Sequence, residues 1–169
     1  MFSSISAINC SNTGHGSLAL QNGTTPATWT SYAYSFTANQ SASTLLFGLA
    51  TDGTNSFYLD SVSLVASSAP GTQLLINPGF ENSNSAPIDW LISCEMSTCG
   101  DNSTRIETNS SLCTSGYCLR SFCSVGRSSL AMISQTVATT IGNAYAISFD
   151  LRRSNIPSTN TMTFSLDVV

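Results

Sequence analysis

Apolar and polar residues alternate with a period of two along most of this chain. Tyr32, Tyr34 and Phe36 share one face of an extended run that opens after Trp29, and Leu45, Phe47 and Leu49 repeat the pattern. The turn Asp52-Gly53-Thr54-Asn55 leads into a further run from Phe57 to Val65. In the second half Tyr145, Ile147, Phe149 and Leu151 alternate with Ala144, Ala146, Ser148, Asp150 and Arg152, and Met162, Phe164, Leu166 and Val168 carry the pattern to the C-terminus. No stripe of helical period competes. Strands separated by Gly, Asn, Ser and Thr turns at a spacing of roughly 8–12 residues predict an all-β sandwich or barrel. The small, polar stretch from Ala66 to Thr72, with its Pro70-Gly71 pair, is the best linker candidate. The segment from Cys94 to Cys123 has few core-sized residues and reads as a long crosslinked excursion.

Composition agrees with strands. Only 8% of the 169 residues are charged, about a third of the usual share, and Ser, Thr and Asn fill the gap. Their short polar side chains compete with helical backbone bonds and favour strands and turns. A net charge of −4 with only five Lys and Arg leaves no basic patch to neutralise phosphates, so nucleic acid and anionic membrane are poor partners. No apolar run approaches the roughly 20 residues that span a bilayer, so membrane insertion is not expected.

Two features point to the secretory route. Six cysteines are present, five of them clustered at Cys94, Cys99, Cys113, Cys118 and Cys123, with Cys10 distant. Sequons begin at Asn9, Asn22, Asn39, Asn102 and Asn109, each a candidate glycan acceptor. Met1 to Ser6 lacks a basic stretch followed by a long apolar one and does not read as a signal peptide, which implies a start further upstream or a larger parent protein. The cysteine spacings match no zinc motif, and disulfides are the expected use. Cys94 with Cys99 and Cys113 with Cys118 are attractive local pairs, and Cys10 with Cys123 would complete the set and staple the two halves of the chain.

Leu74-Leu75-Ile76-Asn77-Pro78-Gly79-Phe80-Glu81, followed by Trp90, resembles the opening strand of the galactose-binding-like jelly rolls, the fold of many carbohydrate-binding modules. Ser134 to Val137 and Gly142 to Asp150 resemble that family's middle strands. Trp29 to Phe36, Leu46 to Gly48 and Phe57 to Leu64 resemble its closing strands. The order is inverted, with closing strands first. The resemblance therefore implies a tandem array cut out of phase: residues 1–66 close one repeat, 67–72 link, and 73–169 open the next, with neighbouring repeats in a longer chain. Because the halves together carry about one full set of strands, they are expected to form one circularly permuted, antiparallel jelly-roll β-sandwich, which avoids long exposed sheet edges.

The resemblance also implies a structural calcium, at Asp60 and Glu81 with Asn77 or a nearby carbonyl as a further oxygen ligand. Period two puts Asp60 on a face with Tyr58, Val62 and Leu64, where an ionised carboxylate needs a cation or donors; the alternative is a carboxylate that accepts bonds from backbone amides. For carbohydrate or glycoprotein, the expected ligand residues are Gln135, Asp150 and Arg152 on an outward polar face, with Trp90 and Tyr117 as stacking platforms from flanking loops. Thr163, Ser165 and Asp167 are expected to face outward as well, and Trp29 to lie in the core. His15, the single histidine, sits between Gly14 and Gly16 in an apparent turn, and no pair of carboxylates is brought together by spacing, so no enzyme activity is expected. The expected function is a non-catalytic extracellular carbohydrate-binding module; the alternative is a structural or adhesive repeat without a sugar site.

Overall fold

The computed structural model describes residues 10, 14–23, 25–95, 99, 103–123, 129–154, 156 and 161–169. Among these the alternating runs become eleven strands: β1 (Ala19–Asn22), β2 (Thr30–Thr37), β3 (Ala42–Thr51), β4 (Phe57–Ala66), β5 (Ala69–Gln73), β6 (Leu91–Ser93), β7 (Thr104–Glu107), β8 (Cys118–Ser121), β9 (Ser129–Ala138), β10 (Ala144–Arg153) and β11 (Thr163–Val168). One sheet has the order β1-β11-β3-β9-β6; the other has β2-β10-β4-β8-β7, with β5 added beside β4. All pairings are antiparallel. The sheets pack face to face as a β-sandwich. β1 pairs with β11, β2 with β10, β3 with β9 and β4 with β8, so the pairs nest as in a rolled-up ribbon, the jelly-roll arrangement. The strands of residues 1–66 never pair with one another; each lies between or beside strands of the second half. Residues 67–72, the expected linker, form the exposed turn and most of the return strand of the β4–β5 hairpin.

The core follows the period-two reading closely. On β10 Tyr145, Ile147, Phe149 and Leu151 are buried while Ala144, Ala146 and Ser148 are exposed. Phe149 is the hub: Tyr32 and Tyr34 stack on its ring at 5.5 and 6.1 Å, and Phe47 and Phe164 approach it at 5.3 Å each from the opposite sheet. Such offset and edge contacts add to area burial because ring faces are negative and ring edges positive.

Four expectations are corrected. On β4 the alternation changes parity. Asp60 faces Asp150 and Ser63 faces Ser148, so Ser61 and Val62 together oppose the single residue Phe149, and Ser61 has φ 53°. This β-bulge sends Phe57 and Leu59 inward before it and Val62 and Leu64 inward after it. Asp60 shares a face with Tyr58 but not with Val62 or Leu64.

The segment Leu74 to Glu81 is not a strand. Asn77 and Phe80 have φ of 51° and 62°, and Asn77 organises an irregular loop: Nδ2 donates to Ile88 O, Oδ1 accepts from Asn82 N, and the carbonyl accepts from Phe80 N and Trp90 Nε1. Leu75, Phe80 and Trp90 thereby enter the core.

Ser165 and Asp167 do not face solvent. The outer face of the first sheet carries a small second core of Leu46, Ala50, Leu130 and Met132, and the His15–Ser17 segment folds across Asp167. A Cβ at Gly48 would lie 2.3 Å from Ser165 Oγ and 3.1 Å from Met132 Sδ, so any larger residue there must displace these side chains.

The disulfides are Cys10–Cys94, Cys99–Cys123 and Cys113–Cys118. Cys113–Cys118 matches expectation, whereas Cys94 and Cys123 exchange their expected partners. The staple between the halves exists, but Cys94 makes it. Three disulfides in a domain of this size are compatible with an oxidising, extracellular environment.

Candidate functional site

The outer face of the second sheet carries a row of alternating rings and guanidiniums. Strand register sets it: Arg152 on β10 lies opposite Tyr58 on β4, Tyr58 opposite Arg120 on β8, and Arg120 opposite Arg105 on β7. Arg152 stacks between Tyr58 (4.3 Å to the ring centroid) and Trp29 (5.3 Å), the latter standing just before β2. Arg120 lies 5.7 Å from Tyr58 and 4.5 Å from Phe122, and Arg105 covers the same Phe122 ring at 4.9 Å. Five strands at a spacing of about 4.8 Å make this row about 19 Å long. Cation–π contacts of this kind contribute roughly 0.5–2 kcal/mol each, more as water is excluded.

Hydrogen bonds fix the row. Arg152 Nη2 donates to Leu112 O (2.9 Å), and its Nε is buried without a hydrogen-bond partner among the described residues. Arg120 Nε donates to Ser56 Oγ (3.1 Å), and its Nη1 pairs with Glu107 at 3.2 Å. Trp29, Leu112, Tyr58 and the Cys113–Cys118 disulfide form an apolar cluster beneath the row. Trp29 is half-buried on this outer face rather than in the main core, a correction to expectation.

The next row holds carboxylates. Asp150 accepts a short hydrogen bond from Ser31 Oγ and stands opposite Asp60. Asp60 is 1% exposed, and burial raises its pKa above the ordinary carboxylate value despite opposing hydrogen bonds. Its Oδ1 accepts from Ser61 N (2.7 Å); its Oδ2 accepts from Thr114 N (3.1 Å) and the Thr114 hydroxyl. Glu81 reaches the same disulfide-closed loop from the other side, accepting from Tyr117 N at 2.9 Å, and Gly116 between them has φ 51°.

Asp60 and Glu81 are thus brought to one loop, 114–117, as acceptors for its donors. Asn77 is not free to join them, because its carboxamide is used within its own loop. Among the described residues no group of three His, Cys, Asp or Glu side chains converges as metal ligands. The bonds that Asp60 accepts from Ser61 N and from Thr114 N and hydroxyl are those of the amide-acceptor alternative.

Of the five expected ligand residues, Asp150 and Arg152 share this face. Trp90 does not reach any surface: it is 6% exposed, packs on Phe80 at 5.4 Å and donates Nε1 to Asn77 O at 3.0 Å. Tyr117 packs against the main core. Gln135 is on the first sheet, where its carboxamide bonds Ile76 N, Ile76 O and Asp89 O. It lines an open groove of about 580 Å³ with Leu74, Ile76, Asp89, Leu91 and Val137. The residues that sequence reasoning missed are Tyr58, Arg105, Arg120 and Phe122. The signal for Arg105 and Arg120 lay in the five-cation total: with so few cations, two on adjacent short strands stand out. Asn22, Asn39 and Asn109 are exposed, as glycan acceptors must be, while Asn9 and Asn102 lie outside the described residues.

Compared with known proteins, the chain matches no family model, no curated protein and no solved structure.

Proposed function

We propose that this chain is a non-catalytic, extracellular carbohydrate-binding jelly-roll module whose ligand lies along the outer face of the second sheet. One observation carries the reading: Trp29, Arg152 and Tyr58 form a rigid stack beside Asp150, and this combination of aromatic surface with charged donors and acceptors recognises sugar rings and hydroxyls. The three disulfides and the exposed sequon asparagines support a secreted glycoprotein. The inverted motif order in the sequence supports a permuted module from a repeat array. The purified, disulfide-bonded protein is expected to bind at least one class of glycan on an array, and Trp29→Ala is expected to weaken that binding at least tenfold without lowering the melting temperature by more than a few degrees. Silence on every glycan would overturn the reading.

A second reading, an adhesive or structural repeat, is favoured by a different place. Among the described residues β9 is paired by β6 at Met132–Ser134 alone, and Leu91 on β6 and Ile76 stand exposed at that side of the sheet. Concentration-dependent self-association together with glycan silence would favour that reading. Calcium is a separate proposal and the donors around Asp60 do not favour it. Adding millimolar calcium and then a chelator is expected to leave the melting temperature unchanged, and a rise of several degrees with calcium would return the ion to Asp60 and Glu81.

A further inference from the structure

The cations of this chain are spent unusually. All five are arginine, in a protein of net charge −4. The described carboxylates mostly serve as acceptors for nearby N–H and O–H groups: Asp52 for Thr54 and Asn55, Asp60 for Ser61 and Thr114, Glu81 for Tyr117, Glu95 for Ser103 and Thr104, and Asp167 for Gly16 and Ser17. They are tied into the fold instead of pairing with arginines. The one Arg–carboxylate ion pair among the described residues is Arg120 with Glu107.

Arg105 is exposed and directly opposite Arg120 across the β7–β8 pair, and both guanidiniums cover the Phe122 ring. Among the described residues Arg105 has no carboxylate within 4.0 Å. Like charges placed opposite one another on a sheet are destabilising, and one glutamate neutralises only one of the two. The ring beneath holds the guanidiniums in place, so they are pre-organised for an anion from solvent, and a planar guanidinium fork recognises carboxylate or sulfate with two parallel hydrogen bonds.

We infer that the glycan taken by this face is acidic, with a carboxylate or sulfate group held between Arg105 and Arg120 while the rest of the chain lies toward Arg152 and Trp29. The inference rests on the carbohydrate-binding reading above. Asp150 and Asp60 limit the anionic end to the β7–β8 side: Asp150 flanks Arg152 two residues away on β10, and Asp60 is buried under Thr114. The acidic group, between β7 and β8, and the Trp29 ring beside β2 would then be about three and a half strand spacings, or about 17 Å, apart along one row, which requires an oligosaccharide and not a monosaccharide.

The test is calorimetric titration of the intact protein with a uronate oligosaccharide, a sulfated oligosaccharide, a neutral oligosaccharide of equal length, inorganic sulfate and poly-glutamate. Tight binding is expected for at least one acidic oligosaccharide, with affinity falling at least tenfold in Arg105→Ala, restored only in part in Arg105→Lys, which keeps the charge but not the fork, and weakened as salt rises from 50 to 500 mM. The uronate and sulfated arms identify which acid is taken. Arg105 is exposed, so the variant is expected to melt with the wild type, and far-UV circular dichroism checks that it does. Equal or tighter binding of the neutral oligosaccharide overturns the inference while leaving the carbohydrate reading intact. No binding to any saccharide overturns both. Equal binding of poly-glutamate, or an Arg105→Ala variant as tight as the wild type, shows that the acid is not read by this pair and also overturns it.

Discussion

Single carboxylates in this protein act as internal acceptors, and their substitution should show it. Asp60 offers two oxygens to N–H and O–H donors from Ser61 and Thr114. Asparagine has one oxygen and an NH₂ that would face a donor, so Asp60→Asn is expected to cost about 1–3 kcal/mol in urea denaturation at pH 7. The pH response of the two buried aspartates runs in opposite directions. Burial holds the Asp60 pKa above its unfolded value, so the folded state binds the proton more tightly and the stability from this group falls as pH rises through the carboxylate range. At Asp167 burial also pushes upward, but the amides of Gly16 and Ser17, the Ser17 hydroxyl and nearby His15 outweigh it and the pKa is lowered. That stability is present above the unfolded value of about 4 and is lost as pH falls through the lower, folded value. The stability difference between wild type and Asp167→Asn is therefore expected to shrink as pH is taken below about 4, read from denaturation midpoints at each pH.

At the scale of strands, β10 is the element on which most depends, because it lies between β2 and β4 and carries Phe149 at the meeting point of both sheets. Phe149→Ala removes a ring packed against four others and is expected to cost about 3–5 kcal/mol, measured as a shift in the urea midpoint at constant slope. This strand and β2 were legible in the sequence as clean alternation, since each turns one face to the core and the other to solvent, whereas β11 was legible as a strand but is covered on its second face as well. β4 was legible as a strand but not in its orientation. Its parity change rests on one small polar residue, Ser61, whose positive φ has no compositional signature. Trp90 read as a surface platform because it sits among Ser, Pro, Ile and Asp in an evident loop; the hydrogen bond from its indole to Asn77 O, which lets it be buried, joins residues 13 apart in an irregular segment. Two residues of the candidate ligand face, Asp150 and Arg152, followed from alternation on one strand. The rest of the row did not, because Tyr58, Arg120 and Arg105 are assembled by register between strands distant in sequence.

For the molecule as a whole, only the local pair Cys113–Cys118 was legible in the sequence, since six cysteines allow 15 connectivities and spacing does not decide between distant partners. The observed pairs differ widely in the loops they close: Cys10–Cys94 spans 84 residues and Cys113–Cys118 spans 5. Chain-entropy arguments assign about 4–5 kcal/mol to the first and about 2 kcal/mol to the second. Replacing Cys10 and Cys94 together by Ser is therefore expected to lower the melting temperature more than replacing Cys113 and Cys118, as read by calorimetry. Because β1–β4 pair only with strands that follow them in sequence, residues 1–67 and 68–169 produced as separate chains are expected to be unfolded alone by circular dichroism and to regain strand signal when mixed and allowed to form Cys10–Cys94. The same nesting sets the tempo of folding. Closing β4 on β8 brings β3 within short reach of β9, which in turn brings β2 to β10 and β1 to β11, so each closure shortens the loop that the next must bridge. The slow step is expected to be the closure of β4 on β8, which stopped-flow refolding of variants in those two strands checks. A chain of this topology is expected to fold on the millisecond-to-second scale of all-β domains, and weakening β1 or β11, the last pair to zip, is expected to speed unfolding while leaving the folding rate nearly unchanged, as read from the two arms of a urea chevron.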